Sequence, residues 1–405
     1  MGPIEPLERK YWETQNNSQS SFKRLEYAPM THLFQPYTFS SKGNLVRLQL
    51  DNKLVVAPMC QYSAENGAAS DWHLIHWANL LNSGASMVII EATAVTPEGR
   101  ITPACLGLWD DTTEQALGSL MARARRLAPG NVKVCIQLAH AGRKASSALP
   151  WRGGQLLSPE QGGWTPLGPS AIAQKHGEQT PQEMSLQDMQ HVQDAFVLAA
   201  KRALAIGIDA IELHAAHGYL LHEFLSPIAN QRSDNYGGSL ENRMRFPLAV
   251  FEAVRQVTNG VLGVRVSASD WVDNGLTPEE VAVFAQRLKE KDCDYVHVSS
   301  GGVASNQVIP NQPLYQVPFA RLIKNESKLP TIAVGLITQP AQAESILTNG
   351  DADMIALARA FLFNPRWGWH AAAELGGVVQ ANERYWRCLP SEARTIFGDT
   401  RIAQR

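Results

Sequence analysis

The sequence predicts an α/β protein folded as a (β/α)8 TIM barrel. Eight short runs rich in Val, Ile and Leu occur between Leu54 and Arg359, and longer amphipathic segments separate them. Several runs are apolar throughout, which is typical of parallel strands covered on both faces. Eight strands alternating with helices favour a closed barrel. An open doubly wound sheet is the alternative, because strand order cannot be read from the pattern.

Length and composition agree with one large domain. The chain has 405 residues, of which 44% are hydrophobic and 18% charged, enough for a barrel of about 250 residues with additions. The formal net charge of -2 gives no general attraction to nucleic acid or to an anionic membrane, so we expect neither partner. No apolar run is long enough to span a membrane, and the N-terminus lacks the apolar core of a signal peptide. We therefore expect a cytoplasmic protein.

The cysteines are scattered singly, without the CxxC spacing that holds zinc or an iron-sulfur cluster. They are Cys60, Cys105, Cys135, Cys293 and Cys388. The sequence therefore predicts free thiols in a reducing compartment.

The predicted strands follow one another at the spacing of β-α units. In chain order they are LVVAP from Leu54, MVIIEA from Met87, VKVCIQL from Val132, AIELH from Ala210, LGVRVSA from Leu262, DYVHVSS from Asp294, TIAVGL from Thr331 and DMIALAR from Asp353.

The predicted helices carry start and stop signals. Ser185 opens a long amphipathic segment that ends at Gly207, and Thr277 opens another, TPEEVAVFAQRLKEK. The glycine pair in NYGGSLENRMRF precedes Ser239, which we interpret as an N-cap rather than part of a nucleotide-binding loop. We expect Arg243 to tie that loop down.

Three segments fall outside the repeat. Residues 1–30 are predicted to be a polar N-terminal extension, and residues 31–375 form the barrel. Residues from about 145 to 182 are rich in Gly, Pro and Ser and follow the third strand, so they are a candidate lid. Residues 376–405 form a charged and aromatic tail that suits contact with a neighbouring subunit, and we expect a homo-oligomer, a dimer or tetramer.

Reactive side chains gather where the strands end, which is where active sites of this barrel lie. In the stretch IELHAAHGYL, His214 and His217 follow the fourth strand, with Glu212 before them and Tyr219 after them. Spacing alone leaves three interpretations open: a metal site with Glu212 as third ligand, a flavin and substrate site, or core packing. We argue against the metal site, because His217 lies beyond the strand and the sequence shows no further His or Asp cluster to complete a ligand set.

The motifs APMCQYSAENGAASDWHLIHW, QLAHAGRKA, HAAHGYLLHEFLSPIANQRSDNYGGSLENRMRF, VRVSASDW, VHVSSGG and LARAFLFNPRWGW resemble the Old Yellow Enzyme family of flavin-dependent ene-reductases. They are most similar to the branch typified by small bacterial enzymes with a cysteine beside the flavin. The resemblance covers about residues 33–370. It implies that residues 31–375 bind FMN, that NADPH or NADH donates hydride, and that an activated alkene receives it.

The resemblance also implies roles for individual residues. His214 and His217 would hydrogen-bond the carbonyl or nitro oxygen of the acceptor, and Tyr219 would protonate its α carbon. Tyr62 and Lys144 would line the substrate pocket. The implied cofactor-binding residues are Pro58, Met59, Cys60, Ala92, Gln137, Arg265, Gly335, Ala358 and Arg359. Among these, Cys60 would tune the flavin, Gln137 and Arg265 would bond its polar edge, and Arg359 with amides near Gly335 and Ala358 would bind its phosphate.

Several points depart from the family pattern or stay open. Ala358 stands where the branch usually has glycine, and Leu314 where it often has glycine before a tyrosine. A residue among Arg384, Tyr385, Trp386 and Arg387 is a candidate to enter a neighbouring subunit's site. A related flavin-dependent nitroreductase or oxidative demethylase, an idle flavin binder and a metal-dependent barrel hydrolase or lyase are the alternative functions.

Overall fold

The computed structural model describes residues 31–41, 43–398 and 400. The predicted N-terminal extension, residues 1–30, and the last five residues of the predicted tail lie outside the described residues. In the part of the chain that is described, no helix has the length and apolar character needed to cross a membrane.

Within the described residues, strands and helices alternate along most of the barrel, while the first three strands follow one another directly. The strands are β1 Tyr37–Ser40, β2 Val46–Leu50, β3 Leu54–Val56, β4 Met87–Ala94, β5 Lys133–Ala139, β6 Leu167–Gly168, β7 Gln182–Glu183, β8 Ala210–Ala215, β9 Val261–Ser267, β10 Tyr295–Ser299, β11 Thr331–Ala333 and β12 Met354–Leu357. The α-helices are α1 Asp71–Leu81, α2 Asp111–Arg126, α3 Leu186–Ala205, α4 Leu220–Leu225, α5 Leu240–Arg255, α6 Pro278–Glu290, α7 Val317–Ser327, α8 Pro340–Thr348, α9 Arg359–Phe363 and α10 Trp367–Leu375.

Eight of these strands close into a parallel barrel in the order β3-β4-β5-β8-β9-β10-β11-β12, with β12 pairing back to β3. They are the eight predicted strands, and each begins within one residue of its predicted start. The predicted fold class is therefore confirmed, and the open-sheet alternative is wrong.

Side chains on alternate strand positions enter two different cores. On β4, Val88 and Ile90 pack outward against the helices. Met87 and Ile89 point into the barrel, where the β1–β2 hairpin adds Phe39. Since this hairpin covers the amino-terminal end of the barrel, the carboxyl ends of the strands are left for a functional site.

The predicted helix starts are confirmed by their caps. The side chains of Ser185, Ser239 and Thr277 each accept a hydrogen bond from a backbone amide in the first turn of α3, α5 and α6 respectively. Arg243 donates to the carbonyl oxygens of Gly238 and Leu225, so it ties the preceding loop down as predicted.

The excursion that follows β5 packs against the segment that follows β4. The guanidinium of Arg100 lies 5.4 Å from the ring centroid of Trp109 and 5.0 Å from that of Trp164. The Trp164 indole nitrogen also donates to the Glu98 carbonyl at 2.8 Å. Trp164 therefore anchors the middle of the predicted lid, and its movement as a lid stays a prediction.

Part of the predicted tail packs against helix α10 of the same chain. Val379, Ala393 and Ile396 are buried against Trp369 of α10, and the Val379 amide donates to the Ile396 carbonyl at 2.8 Å. The sequence did not predict this cluster. Arg384 and Arg387 are exposed, and a role for this part of the tail at a subunit interface stays a prediction.

Candidate active site

A row of polar side chains crosses the inside of the barrel below its carboxyl end. Because β8, β9 and β10 pair in register, His214, Arg265 and His297 lie side by side. One level lower, Glu212 accepts hydrogen bonds from Gln137 Nε2 at 2.7 Å and from Tyr295 Oη at 3.2 Å. The sequence predicted Gln137 and Arg265 here but missed Tyr295 and His297, which lie within a predicted strand rather than at its end.

Both carboxylate oxygens of Glu212 contact side chains of this polar row. Its Oε2 lies 3.0 Å from His297 Nδ1, and the side chain is wholly buried. Burial would raise the pKa of the carboxyl, but His297, Arg265 and Gln137 together hold that pKa below its ordinary value. Glu212 therefore accepts hydrogen bonds within the polar row. Within the described residues, no group of three or more His, Cys, Asp or Glu side chains could hold a metal ion.

The two histidines and Tyr219 meet at the mouth of the barrel. The ring centroids of His214 and His217 are 5.1 Å apart, and those of His214 and Tyr219 are 5.0 Å apart, with near-perpendicular planes in both pairs. The structure thus brings together the three residues predicted to be catalytic.

Hydrogen bonds orient both imidazoles. His214 Nδ1 accepts from the Ala216 amide at 3.3 Å, so Nε2 carries the hydrogen and is a donor. His217 Nε2 lies 2.7 Å from Ser299 Oγ; when the hydroxyl donates, Nδ1 carries the hydrogen. The sequence analysis placed Ser299 at the end of a predicted strand but gave it no contact with His217.

Electrostatics keep this trio uncharged. Burial, followed by the charge of Arg265, lowers the pKa of His214 and of His217 well below the ordinary histidine value. Burial raises the pKa of Tyr219 well above the ordinary tyrosine value, and the nearby Cys60 and Tyr62 add to the shift. At neutral pH the site therefore presents two neutral imidazoles and a protonated phenol.

The turn that carries His217 and Tyr219 is fixed from two sides. Lys144 Nζ donates to the carbonyl oxygens of His217 and Gly302 at 2.9 and 3.1 Å, and it lies 5.0 Å from the Tyr219 ring centroid. Burial lowers the pKa of Lys144 to about 8. A side chain on Gly218 would meet the Gly302 carbonyl oxygen at 2.2 Å, so glycine is required there.

A buried histidine-aspartate pair supports the same turn from below. His222 Nδ1 accepts from the Gly218 amide at 2.8 Å, and its Nε2 lies 2.9 Å from Asp270 Oδ1. Ser226 Oγ donates to the other oxygen of Asp270 at 2.6 Å. Asp270 thus orients His222, and His222 orients the turn. The sequence analysis missed both residues.

The loop after β3 forms another wall of the mouth. Pro58, Met59, Cys60 and Tyr62 are all partly exposed there. Burial raises the pKa of the Cys60 thiol well above the ordinary value, while the Ala92 backbone and Tyr62 act in the opposite direction. Tyr62 has a positive φ of 50° and its ring lies 5.9 Å from that of Trp151 in the excursion.

The ends of β11 and β12 bring Gly335, Ala358 and Arg359 together, because the two strands pair in parallel. Gly335 has a φ of 117°, and a side chain there would meet Gln316 Nε2 at 2.4 Å. Arg359 is exposed at the start of α9. Leu314, where the branch often has glycine, adopts a φ of 63°, a left-handed conformation that glycine tolerates better.

The sequence profile of the NADH:flavin oxidoreductase / NADH oxidase family matches residues 32–376. The chain belongs to this family. It is therefore an FMN-dependent NAD(P)H oxidoreductase, and the predicted resemblance, enzyme class and cofactors are confirmed.

The chain is also similar in sequence to individual bacterial NADPH dehydrogenases. The NADPH dehydrogenase of Geobacillus thermodenitrificans (strain NG80-2) is 44% identical over 362 residues, covering 88% of this chain and 99% of that protein. The NADPH dehydrogenase of Bacillus licheniformis is 42% identical over 359 residues, covering 88% and 98% respectively.

Two solved structures support the fold. Morphinone reductase matches with a TM-score of 0.69 at 24% identity, covering 87% of this chain and 91% of that one. A 2-naphthoyl-CoA reductase matches with a TM-score of 0.74 at 22% identity, covering 85% of this chain and 52% of that one.

The residues at the mouth fit the FMN that the family uses. Arg265 is 7% exposed, and its buried Nε has no hydrogen-bond partner among the described residues. A buried cation with an unused donor suits the polar edge of a flavin, whose reduced form is anionic.

Proposed function

We propose that this family member reduces the activated carbon-carbon double bond of α,β-unsaturated carbonyl or nitro compounds. The observation that carries the proposal is the convergence of two neutral imidazoles and one protonated phenol beside buried Arg265. An electron-poor alkene needs hydrogen-bond donors at its oxygen and a proton for its α carbon, and these groups can supply both.

The proposed catalytic roles follow from the hydrogen bonds. His214 donates from Nε2 and His217 from Nδ1 to one oxygen of the acceptor, which draws electron density away from the β carbon. Tyr219 then protonates the α carbon. When bound, FMN supplies the two-electron chemistry that carries hydride from the nicotinamide to the β carbon, in a ping-pong sequence.

We propose binding roles for the residues that line the mouth of the barrel. Gln137 and Arg265 hold the polar edge of FMN, while Pro58, Met59 and Ala92 line its ring. Gly335, Ala358 and Arg359 hold the phosphate. Cys60 tunes the flavin, and Tyr62 and Lys144 close the substrate pocket.

The proposed donor is NADPH, after the name of the curated relatives. The substrate is a small electrophilic alkene, and the proposed setting is the cytoplasm. We propose assembly as a homo-oligomer, a dimer or tetramer, on the basis of the tail.

Anaerobic spectroscopy tests the proposal. The purified protein should show flavin absorbance, bleach with NADPH and recolour when cyclohexenone is added. If a nitro compound recoloured the flavin with release of a reduced nitro group and cyclohexenone did not, nitroreduction would replace alkene reduction. If no acceptor recoloured it, the protein would be an idle flavin binder.

The His214→Ala, His217→Ala double variant tests the roles. We expect flavin content and bleaching by NADPH to persist, while reoxidation by cyclohexenone slows by at least about 100-fold, because both donors to the acceptor oxygen are lost. The control is His370→Ala, at an exposed position on α10. Reoxidation at the control rate in the double variant would show that the histidines do not activate the acceptor.

A further inference from the structure

A β-bulge sets the direction of Glu91 at the end of β4. Ile90 pairs with Ile136 and Ala92 with Gln137, so Glu91 is an extra residue without a partner on β5. Ala92 shares the inner face with Gln137, as paired residues do. Glu91 is instead directed toward α1, where it is only 2% exposed.

On α1, His73 faces this carboxylate. Its Nε2 lies 3.4 Å from Glu91 Oε1, and its ring is wholly buried. Since His73 Nδ1 accepts from the Ser70 amide at 3.0 Å, Nε2 carries the hydrogen. Neither Nε2 nor Oε1 makes a hydrogen bond within the described residues, so the two atoms meet in a close polar contact that is not a hydrogen bond.

The second carboxylate oxygen holds the loop that carries Cys60. Glu91 Oε2 accepts from the Gln61 amide at 2.8 Å. Two further bonds fix the same loop to the start of α1: Ser70 Oγ donates to the Ser63 carbonyl at 2.7 Å, and Trp72 Nε1 donates to Gln61 Oε1 at 3.0 Å.

We propose that Glu91 is a positioning residue that fixes the Cys60 loop and places a negative charge behind the thiol. His73 holds the carboxylate in that position from α1. This inference rests on the proposed function in one respect, since it takes Cys60 to lie beside the flavin.

The position of Glu91 affects the ionisation of the Cys60 thiol. The ionisable groups that act on the thiol include Glu91, Cys105 and Tyr62, and Tyr219 and Arg265 also interact with it electrostatically. Burial is the largest cause of the raised pKa of Cys60, and the charge of Glu91 is the next. A carboxylate that discourages thiolate formation keeps a neutral thiol in the site.

Alkylation of Cys60 measures this effect directly. The holoenzyme is treated with iodoacetamide over a range of pH, and modification of the Cys60 peptide is followed by mass spectrometry. In Glu91→Gln we expect the midpoint of the rate against pH to fall by about one unit, because a neighbouring like charge is removed. That shift corresponds to about tenfold faster alkylation below both midpoints. Glu374→Gln, at an exposed position on α10, should match the wild type.

Glu91→Asp separates the charge from the position. It keeps a carboxylate but shortens the side chain, which withdraws it from the Gln61 amide. We expect the midpoint to stay near the wild-type value while the limiting rate at high pH rises severalfold, since the loop is freed. This variant also gives a result if Glu91→Gln fails to fold.

A double-mutant cycle tests whether Glu91 acts through Cys60. We expect Glu91→Gln to shift the midpoint potential of the flavin in the wild-type background and to leave it nearly unchanged in a Cys60→Ala background. An unchanged alkylation midpoint in Glu91→Gln, or equal potential shifts in both backgrounds, would overturn the proposal. Neither readout needs alkene turnover, so a lack of alkene reduction by the wild type would defeat the proposed function separately.

Discussion

At the scale of single residues, burial decides the charge state of the site. His214, His217 and Tyr219 titrate in water near pH 6.5 or 10, yet the barrel mouth lowers the pKa of the imidazoles and raises that of the phenol. The same effect keeps them in one protonation state across neutral pH. Sequence shows that these residues exist, but their states depend on what covers them.

Replacing Tyr219 by phenylalanine removes the proposed acid and keeps the ring. We expect reoxidation of the flavin by cyclohexenone to slow by about 10²-fold or more, which is typical for loss of a general acid. Flavin reduction by NADPH needs no proton from Tyr219 and should stay within about twofold of the wild type. Stopped-flow measurement of the two half-reactions checks this, and equal slowing of both would contradict the assignment.

Glu223 offers a test of stability against pH. The side chain is wholly buried, and Oε2 has no hydrogen-bond partner among the described residues. Burial raises its pKa to about 8, while Arg143 and Lys144 act in the opposite direction. The folded state therefore keeps a proton that the unfolded chain releases above about pH 4.5, so stability falls as pH rises from about 4.5 to 8.

Glu223→Gln imitates the protonated carboxyl and does not titrate. Relative to the wild type, we expect the variant to gain roughly 1 to 3 kcal/mol in the free energy of unfolding between pH 5 and pH 8. Urea denaturation at the two pH values measures the change, with exposed Glu374→Gln as the control. A difference between variant and wild type that did not change with pH would refute the raised pKa.

At the scale of elements, the turn after β8 and the loop after β10 come into backbone contact at two glycines. The turn after β8 and the loop after β10 approach so closely that Gly218 and Gly302 each leave no space for a side chain. Lys144 and His222 then bond the turn from opposite sides. The position of His217 and Tyr219 thus depends on backbone contact between two loops that are far apart in the chain.

Gly218→Ala tests this contact against a matched control. Gly218 and Gly376 share a φ of 73°, but a side chain would meet the Gly302 backbone at the first position and nothing within 4 Å at the second. We expect Gly376→Ala to cost about 1 kcal/mol from backbone strain alone. Gly218→Ala should cost at least about 2 kcal/mol more and lose most alkene reduction.

Urea denaturation and steady-state alkene reduction check both variants. If the two alanine variants lost equal stability and activity, the close approach of the loops would not be what holds the turn.

At the scale of the whole molecule, the tail completes one side of the barrel. Ile396 is 4% exposed and belongs to the cluster on α10, so Ile396→Ala should lower the free energy of unfolding by about 2 to 4 kcal/mol. Val378→Ala is the control, because Val378 is 55% exposed. Thermal and urea unfolding measure both, and equal losses would show that the tail adds no stability.

Light scattering on the same variants tests the predicted oligomer. If loosening the tail lowers the particle mass, the tail contributes to a subunit interface. If the mass is unchanged and larger than one chain, another surface forms the assembly.

The sequence by itself determined the elements and the family. The apolar runs predicted the starts of the eight barrel strands to within one residue, since burial of parallel strands on both faces leaves a strong apolar signal. The motifs identified the family and supplied the proposed roles of His214, His217 and Tyr219.

Only the tertiary structure decided what holds those residues. Ser299 lies against His217 from another strand end, and His222 with Asp270 bonds the turn that carries His217 and Tyr219. Closure of the barrel brings these elements together, and local sequence patterns carry no record of contacts made across such distances. The burial that sets each pKa is likewise a property of the packed molecule.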